Sequence, residues 1–378
     1  LKGHNHTKIS SPPRFENLNG LRFIGAFSVF VFHCFTLGQE VWGDFFSRSW
    51  FQSLKKIFNQ GHYGVNLFFV LSGFLITYLL LAEAKRSNKI NVYGFFMRRL
   101  LRIWPVYFIV LIFGFLIFPH LPFGLSTINS PLYYGAFLSN FEEIWHGWKD
   151  NVNLLTITWS VSIEEQFYMA WVLLMLLIPP VRKGKGFLVY FTILIAANLV
   201  FRYYNANDER VIYFHTLSVI SDIAIGGYLS CLCYYFSIQK LFSKISKWTN
   251  VLIYAIGLGG IFLISNVFRG DFVIAERLLI GLFFAYIIAD QAFGINSFFK
   301  ADKLPGFYNL GEISYGIYMY HCIVIYYTQV MVVELGWNGS FSGFIFFVLF
   351  SGLASFGIAW LSFHYIEKPL LTLKKYFR

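Results

Sequence analysis

Charge is what this 378-residue chain has least of: 13% of its residues are Asp, Glu, Lys or Arg, against roughly a quarter in a soluble domain. The shortage excludes intrinsic disorder, a coiled coil and an ordinary cytosolic enzyme. Cysteine is sparse too. Cys34, Cys231, Cys233 and Cys322 all lie in apolar stretches without metal-ligand or thioredoxin-type spacing. They read as small buried hydrophobes, and no metal site is expected. Residues 1–19 are polar and include His4, His6, Pro12 and Pro13, which does not fit a signal peptide. No internal repeat and no linker to a second folded domain is visible.

What is present is apolar length. Hydrophobic residues make up 57% of the chain and aromatics 21%, and runs of about 20 apolar residues recur from end to end, each enough to cross a bilayer. Ten spans are predicted: 20–37, 63–82, 103–119, 165–181, 187–201, 211–236, 249–266, 273–292, 307–332 and 341–366. The expected fold class is all-α, a polytopic membrane protein with about ten transmembrane helices in one bundle. That bundle, 20–366, lies between an N-terminal segment, 1–19, and a basic tail, 367–378. Pro179-Pro180 and the RKGKG stretch at 182–186 mark a turn. Segments 1–22, 83–102, 182–186, 237–248, 293–306 and 367–378 hold 22 of the 30 Lys and Arg residues. The positive-inside rule then predicts that both termini are cytoplasmic. It also accounts for the net charge of +11 without a nucleic-acid partner. The longest outer piece, 120–164, carries Pro122, Pro131, His146, Trp145, Trp148 and Trp159. It is expected either to form a lid or re-entrant segment over the outer mouth or to contribute an interfacial aromatic belt.

An ionisable group inside a span costs about 2.5–3.5 kcal/mol on insertion scales, so each one needs a reason. His33 lies 13 residues beyond Gly20, roughly 20 Å along the helix at ~1.5 Å per residue, in the outer half of the first span. Imidazole suits proton transfer near neutral pH; the alternative, which a lone histidine favours, is a hydrogen bond to a neighbouring helix. In TWSVSIEEQFYM, 158–169, Glu164 and Tyr168 share a helix face while Glu165 points about 100° away. One carboxylate would face inward, to orient an imidazole or bind substrate, and the other would face water. Acidic residues at a helix N-terminus, capped by Ser160 or Ser162, account for the same pattern. In FFMRRLLRIWP, 95–105, Arg98, Arg99 and Arg102 stand at the cytoplasmic entrance of the third span. Arg99 and Arg102 project from one face and are suited either to grip phosphates or to anchor lipid headgroups. In GVNLFFVLSGFLITYLL, 64–80, Asn66 lies near the outer start, and Ser72-Gly73 permits close helix approach or leaves room for a thin substrate arm. His321 in SYGIYMYH and the terminal HYIEKP, 364–369, read mainly as packing and helix-end features.

Taken in order, GLRFIGAFSVFVFH, GVNLFFVLSGFLI, RRLLRIWP, TWSVSIEEQFY, ISYGIYMYH and HYIEKP resemble the acyltransferase 3 family of integral-membrane acyltransferases. The resemblance implies a ten-helix bundle, in a bacterial cytoplasmic membrane, that uses cytoplasmic acyl-CoA as co-substrate. The donor is usually acetyl-CoA, and the acceptor is a hydroxyl on an extracytoplasmic glycan or related carbohydrate. It implies a catalytic role for His33 and donor binding by Arg99 and Arg102, with Arg98 beside them. It also implies a role for Glu164 and Glu165, one of which would fix the His33 tautomer. Asn66 departs from the family, which often has an aspartate there. Asn66, Ser72 and Tyr168 are candidates for oxyanion or substrate contacts, and His321 for lining the pore. With no SGNH-type hydrolase domain after the bundle, a two-domain relay is not expected. The competing class is a proton-coupled transporter or flippase for a glycan or small metabolite. The lack of repeat symmetry and an arginine cluster at one face count against it.

Overall fold

In lipid every backbone N–H needs an internal partner, so long apolar segments fold as helices. The computed structural model describes residues 15–87, 90–124, 129–146, 153–177, 185–266, 270 and 272–377, and these contain helices and no strand. Residues 1–14, Pro179-Pro180 with the first half of RKGKG, and Trp148 lie outside the described residues. The principal helices are α1 (Leu18–Thr36), α2 (Ser49–Phe58), α3 (Gly64–Ser87), α4 (Val92–Ile112), α5 (Ser139–His146), α6 (Trp159–Leu177), α7 (Lys185–Tyr204), α8 (Thr216–Phe236), α9 (Lys247–Asn266), α10 (Glu276–Phe293), α11 (Ser314–Glu334) and α12 (Phe341–Ser362).

Each of the ten expected spans meets a helix, but among the described residues nine segments are long and apolar enough to cross a membrane. The tenth, α10, carries Glu276, Arg277 and Asp290. These charges are turned inward. Arg277 pairs with Asp222 of α8 at 2.5 Å, Tyr63 donates to Glu276, and Asp290 accepts from Tyr254 and Ser297. Span ends also differ from expectation. The third helix begins at Val92, so Arg98, Arg99 and Arg102 sit within its first three turns. The fourth begins at Trp159, which places Glu164 and Glu165 inside the helix instead of at its mouth. HYIEKP does not end a helix: the chain continues helical through Phe363–Glu367, Lys368–Thr372 and Leu373–Phe377 and packs on α4.

α3 and α8 form the centre of the bundle, and glycine makes their approach possible. A Cβ on Gly73 would stand 2.0 Å from the Ile223 carbonyl oxygen, and one on Gly226 would stand 1.9 Å from that of Val70. Small residues at such crossings let backbones touch, the usual way helices associate in lipid. α7, α9 and α12 are peripheral, with Ile193, Ile256 and Leu353 exposed to the surroundings. α2 has Trp50, Leu54, Ile57 and Phe58 exposed, spaced along one face beside Lys55 and Lys56, the pattern of a helix lying in a membrane interface. The outer segment folds onto the bundle. Buried Glu143 accepts from Tyr134 (2.6 Å), Asn153 (2.8 Å) and Thr156 (3.2 Å), and Tyr107 of α4 donates to the Tyr134 carbonyl at 2.8 Å. Its tryptophans divide: Trp159 is buried, whereas Trp145 is exposed and stacks on Phe141.

Candidate active site

α1 carries both ends of the site. Its N-terminal amides are held by a distant carboxylate, Asp302, which accepts from Asn17 N at 2.8 Å and Gly20 N at 2.6 Å; an anion here also complements the helix dipole. Arg22 and His33 follow on the same helix, eleven residues apart. Eleven residues at about 100° each come within ~20° of whole turns, so both side chains leave the helix on one face.

His33 does not meet a glutamate. Its Nδ1 lies 2.7 Å from Nε2 of His321 on α11, and the rings stack with centroids 4.9 Å apart. His321 Nδ1 is 2.7 Å from the Tyr318 carbonyl oxygen and 3.1 Å from that of Ile317. Carbonyl oxygens only accept, so His321 Nδ1 must carry its proton, which leaves Nε2 as an acceptor. His33 Nδ1 therefore donates to it, and His33 Nε2 keeps a lone pair. That nitrogen has no hydrogen-bond partner among the described residues. The chain of carbonyl, His321 and His33 has the layout of a catalytic triad's orienting bonds, with a peptide carbonyl where a triad has a carboxylate. Cys322 lies beside the pair, its Sγ 3.4 Å from His321 Nε2 and 3.7 Å from His33 Nδ1.

The two glutamates stand elsewhere. Glu164 accepts from Ser72 Oγ at 2.8 Å and from Tyr168 OH at 3.0 Å, the shared face that the i, i+4 spacing predicts. One of the two carboxylates was expected to face water; Glu165 is instead buried, with Trp104 Nε1 3.4 Å from one oxygen and, among the described residues, no hydrogen-bond partner for the other. Neither bonds His33 among the described residues, so the expected tautomer-fixing glutamate is replaced by His321. The physical reason is packing: α6 turns this face toward α3 and α4, and α11 lies against α1. Ser72 and Tyr168 spend their protons on Glu164, and Asn66 donates to Asp222 at 3.0 Å. Ser72 and Tyr168 are thereby engaged as donors, whereas Asn66 has a second amide N–H beyond the one on Asp222.

Glu164 instead borders a group of cations. Arg99 lies 5.6 Å from the Tyr168 ring centroid, a cation–π distance. Arg22, Arg99 and Arg102 are close enough to repel one another, and Glu164 offsets part of the charge on Arg22. Lys374, brought back by the C-terminal helical run, faces the same arginines. Arg98 is diverted: it pairs with Glu83 at 3.0 Å and donates to the Phe377 carbonyl at 2.5 Å. Beside Arg22 opens a cavity of about 450 Å³ lined by Phe15, Asn19, Leu75, Asp302 and Tyr308 among others. Cations in such excess are suited to a polyanion. Sequence reasoning missed Arg22 and Lys374, which it counted only as markers of the cytoplasmic side; the eleven-residue spacing to His33 was the available signal for Arg22.

A family model described as "Acyltransferase domain" matches residues 15–364. The chain is 24% identical over 383 residues to the O-acetyltransferase OatA of Staphylococcus aureus (strain NCTC 8325 / PS 47), covering 96% of this chain and 58% of that protein. The OatA of strain Mu50 / ATCC 700699 gives the same figures. The chain thus spans a little over half the length of the curated relatives it matches. No solved structure matches it.

Proposed function

Because the chain belongs to the acyltransferase 3 family, we propose that it moves an acyl group, acetyl in the first instance, from acyl-CoA on the cytoplasmic side to a hydroxyl of an extracytoplasmic carbohydrate. The observation that carries this reading is the placement of Arg22 and His33 on one helix face, with the cation group at one end and the oriented imidazole toward the other. Arg22, Arg99, Arg102 and Lys374 suit the phosphates of CoA. The ~16 Å between Arg22 and His33 is about half a hydrocarbon core, a distance for the pantetheine arm to bridge.

At the outer end the acceptor hydroxyl gives its proton to His33 Nε2 as its oxygen attacks the thioester carbonyl. The C–S bond then breaks, and the departing CoA thiolate takes the proton back from the imidazolium. His321 holds the ring in this orientation throughout. With both termini cytoplasmic, the acceptor reaches His33 from the outer face, where Trp145 offers an exposed ring for a sugar.

The test is purified protein in lipid nanodiscs, given acetyl-CoA with and without cell-wall carbohydrate fragments. Acceptor-dependent CoA release that His33→Ala abolishes is the expected result. Carbohydrate flux across vesicles without CoA release would overturn the reading in favour of transport.

A further inference from the structure

His33 Nδ1, His321 Nε2 and Cys322 Sγ all lie within 4.8 Å of one another. The mechanism above uses the two imidazoles and leaves the thiol without a task. Tetrahedral zinc, with Zn–N of about 2.0–2.1 Å and Zn–S of about 2.3 Å, needs N···S separations of about 3.5 Å and N···N of about 3.3 Å. The two N···S separations here, 3.4 and 3.7 Å, already fit. Only the 2.7 Å N···N contact is short. It is a hydrogen bond whose proton a metal would displace.

The surroundings also suit a metal. His321 is tied through Nδ1–H to peptide carbonyls, the outer-shell bond that metal-bound histidines usually make. Phe30 and Phe32 flank the two rings, and His33 retains partial exposure, which supplies a way in and a fourth position for water. We propose that His33, His321 and Cys322 form a binding site for a divalent metal of the zinc class, and that its occupancy switches transfer off.

The proton balance explains the switch. Binding releases the Cys322 thiol proton to solvent, because a coordinating thiol ionises. The proton on His33 Nδ1 moves to Nε2 as Nδ1 takes the metal. Nε2 then carries N–H where the reaction needs a lone pair. Binding stands on the three donors alone; the inhibition rests on the acyl-transfer reading.

Cobalt(II) is the probe for binding, with the full chain in nanodiscs. A thiolate-to-cobalt charge-transfer band is expected. Zinc should displace it, Cys34→Ala should keep it, and it should be lost in both Cys322→Ser and Cys322→Ala preparations that elute as native protein. Zinc should also inhibit acetyl transfer reversibly, with EDTA restoring it. The half-inhibitory zinc concentration, taken against each variant's own metal-free rate, should rise roughly 10-fold or more in Cys322→Ser. Absence of the band, or its survival in both Cys322 variants, overturns the site. A band that behaves as expected in an enzyme zinc does not inhibit upholds the site and overturns the switch. Failure of all CoA release in metal-free protein strikes the acyl-transfer reading alone.

Discussion

Arg22 and His33 are fixed to one another by a single helix: eleven residues, one face, no hinge between them. On the proposed reading, a grip on the donor's charged end and a base at its reactive end would thereby be held at constant separation, and positioning would need no domain closure. The remaining parts of the site come to this ruler from α3, α4, α6, α11 and the C-terminal run.

The His321 bond should matter to turnover more than to binding. His33→Ala is expected to yield folded, inserted protein without transfer. His321→Ala should lower kcat by roughly 10²–10⁴-fold while leaving KM for acyl-CoA near its original value. His321→Gln, whose amide oxygen still accepts from His33 Nδ1, should recover part of the loss. Steady-state kinetics check this, and wild-type kcat in His321→Ala would remove the orienting role.

Donor affinity should follow the cation group. Arg22→Ala or Arg102→Ala should raise KM for acyl-CoA by roughly 10- to 100-fold, since a hydrogen bond to a charged group contributes about 1.5–3 kcal/mol. Arg98→Ala should do less, because Glu83 and the Phe377 carbonyl already occupy its guanidinium. Isothermal titration with CoA separates these cases. Equal weakening of donor and acceptor would point to lipid anchoring instead.

The α8–α10 ion pair should be costly to break from one side. Arg277→Met leaves Asp222 charged and buried without its 2.5 Å partner, at a cost of about 3–5 kcal/mol. Asp222→Asn combined with Arg277→Met should be less destabilised than Arg277→Met alone. Thermal unfolding in detergent measures both, and additivity of the two changes would contradict the coupling.

Close approach of α3 and α8 leaves Gly226 no room for a methyl group. Gly226→Ala should lower Tm more than Gly259→Ala, whose added Cβ meets nothing within 4 Å. Equal Tm values would show that the central helices separate without penalty.

Burial raises the Glu143 carboxyl above its ordinary 4.5. Its folded form therefore prefers the proton, so its contribution to stability is fully present below the ordinary value and is lost as pH rises through the raised one. The Tm of Glu143→Gln minus that of the parent should accordingly increase from acidic to neutral pH. A difference that shrinks over that interval would reverse the sign.

The sequence by itself determined the helices, their approximate number and the motifs that place the chain in its family. Hydropathy and charge are local quantities, and a bilayer converts them directly into spans. His33 and the Arg99–Arg102 pair were legible for the same reason, as polar groups where lipid exacts a cost. What the glutamates bind, that His321 is the neighbour of His33 from 288 residues away, and that Lys374 joins the arginines were decided only by the tertiary structure. Each depends on how one helix is rotated and shifted against another. That is set by the fit of many side chains and glycine contacts together, which no single stretch of sequence contains.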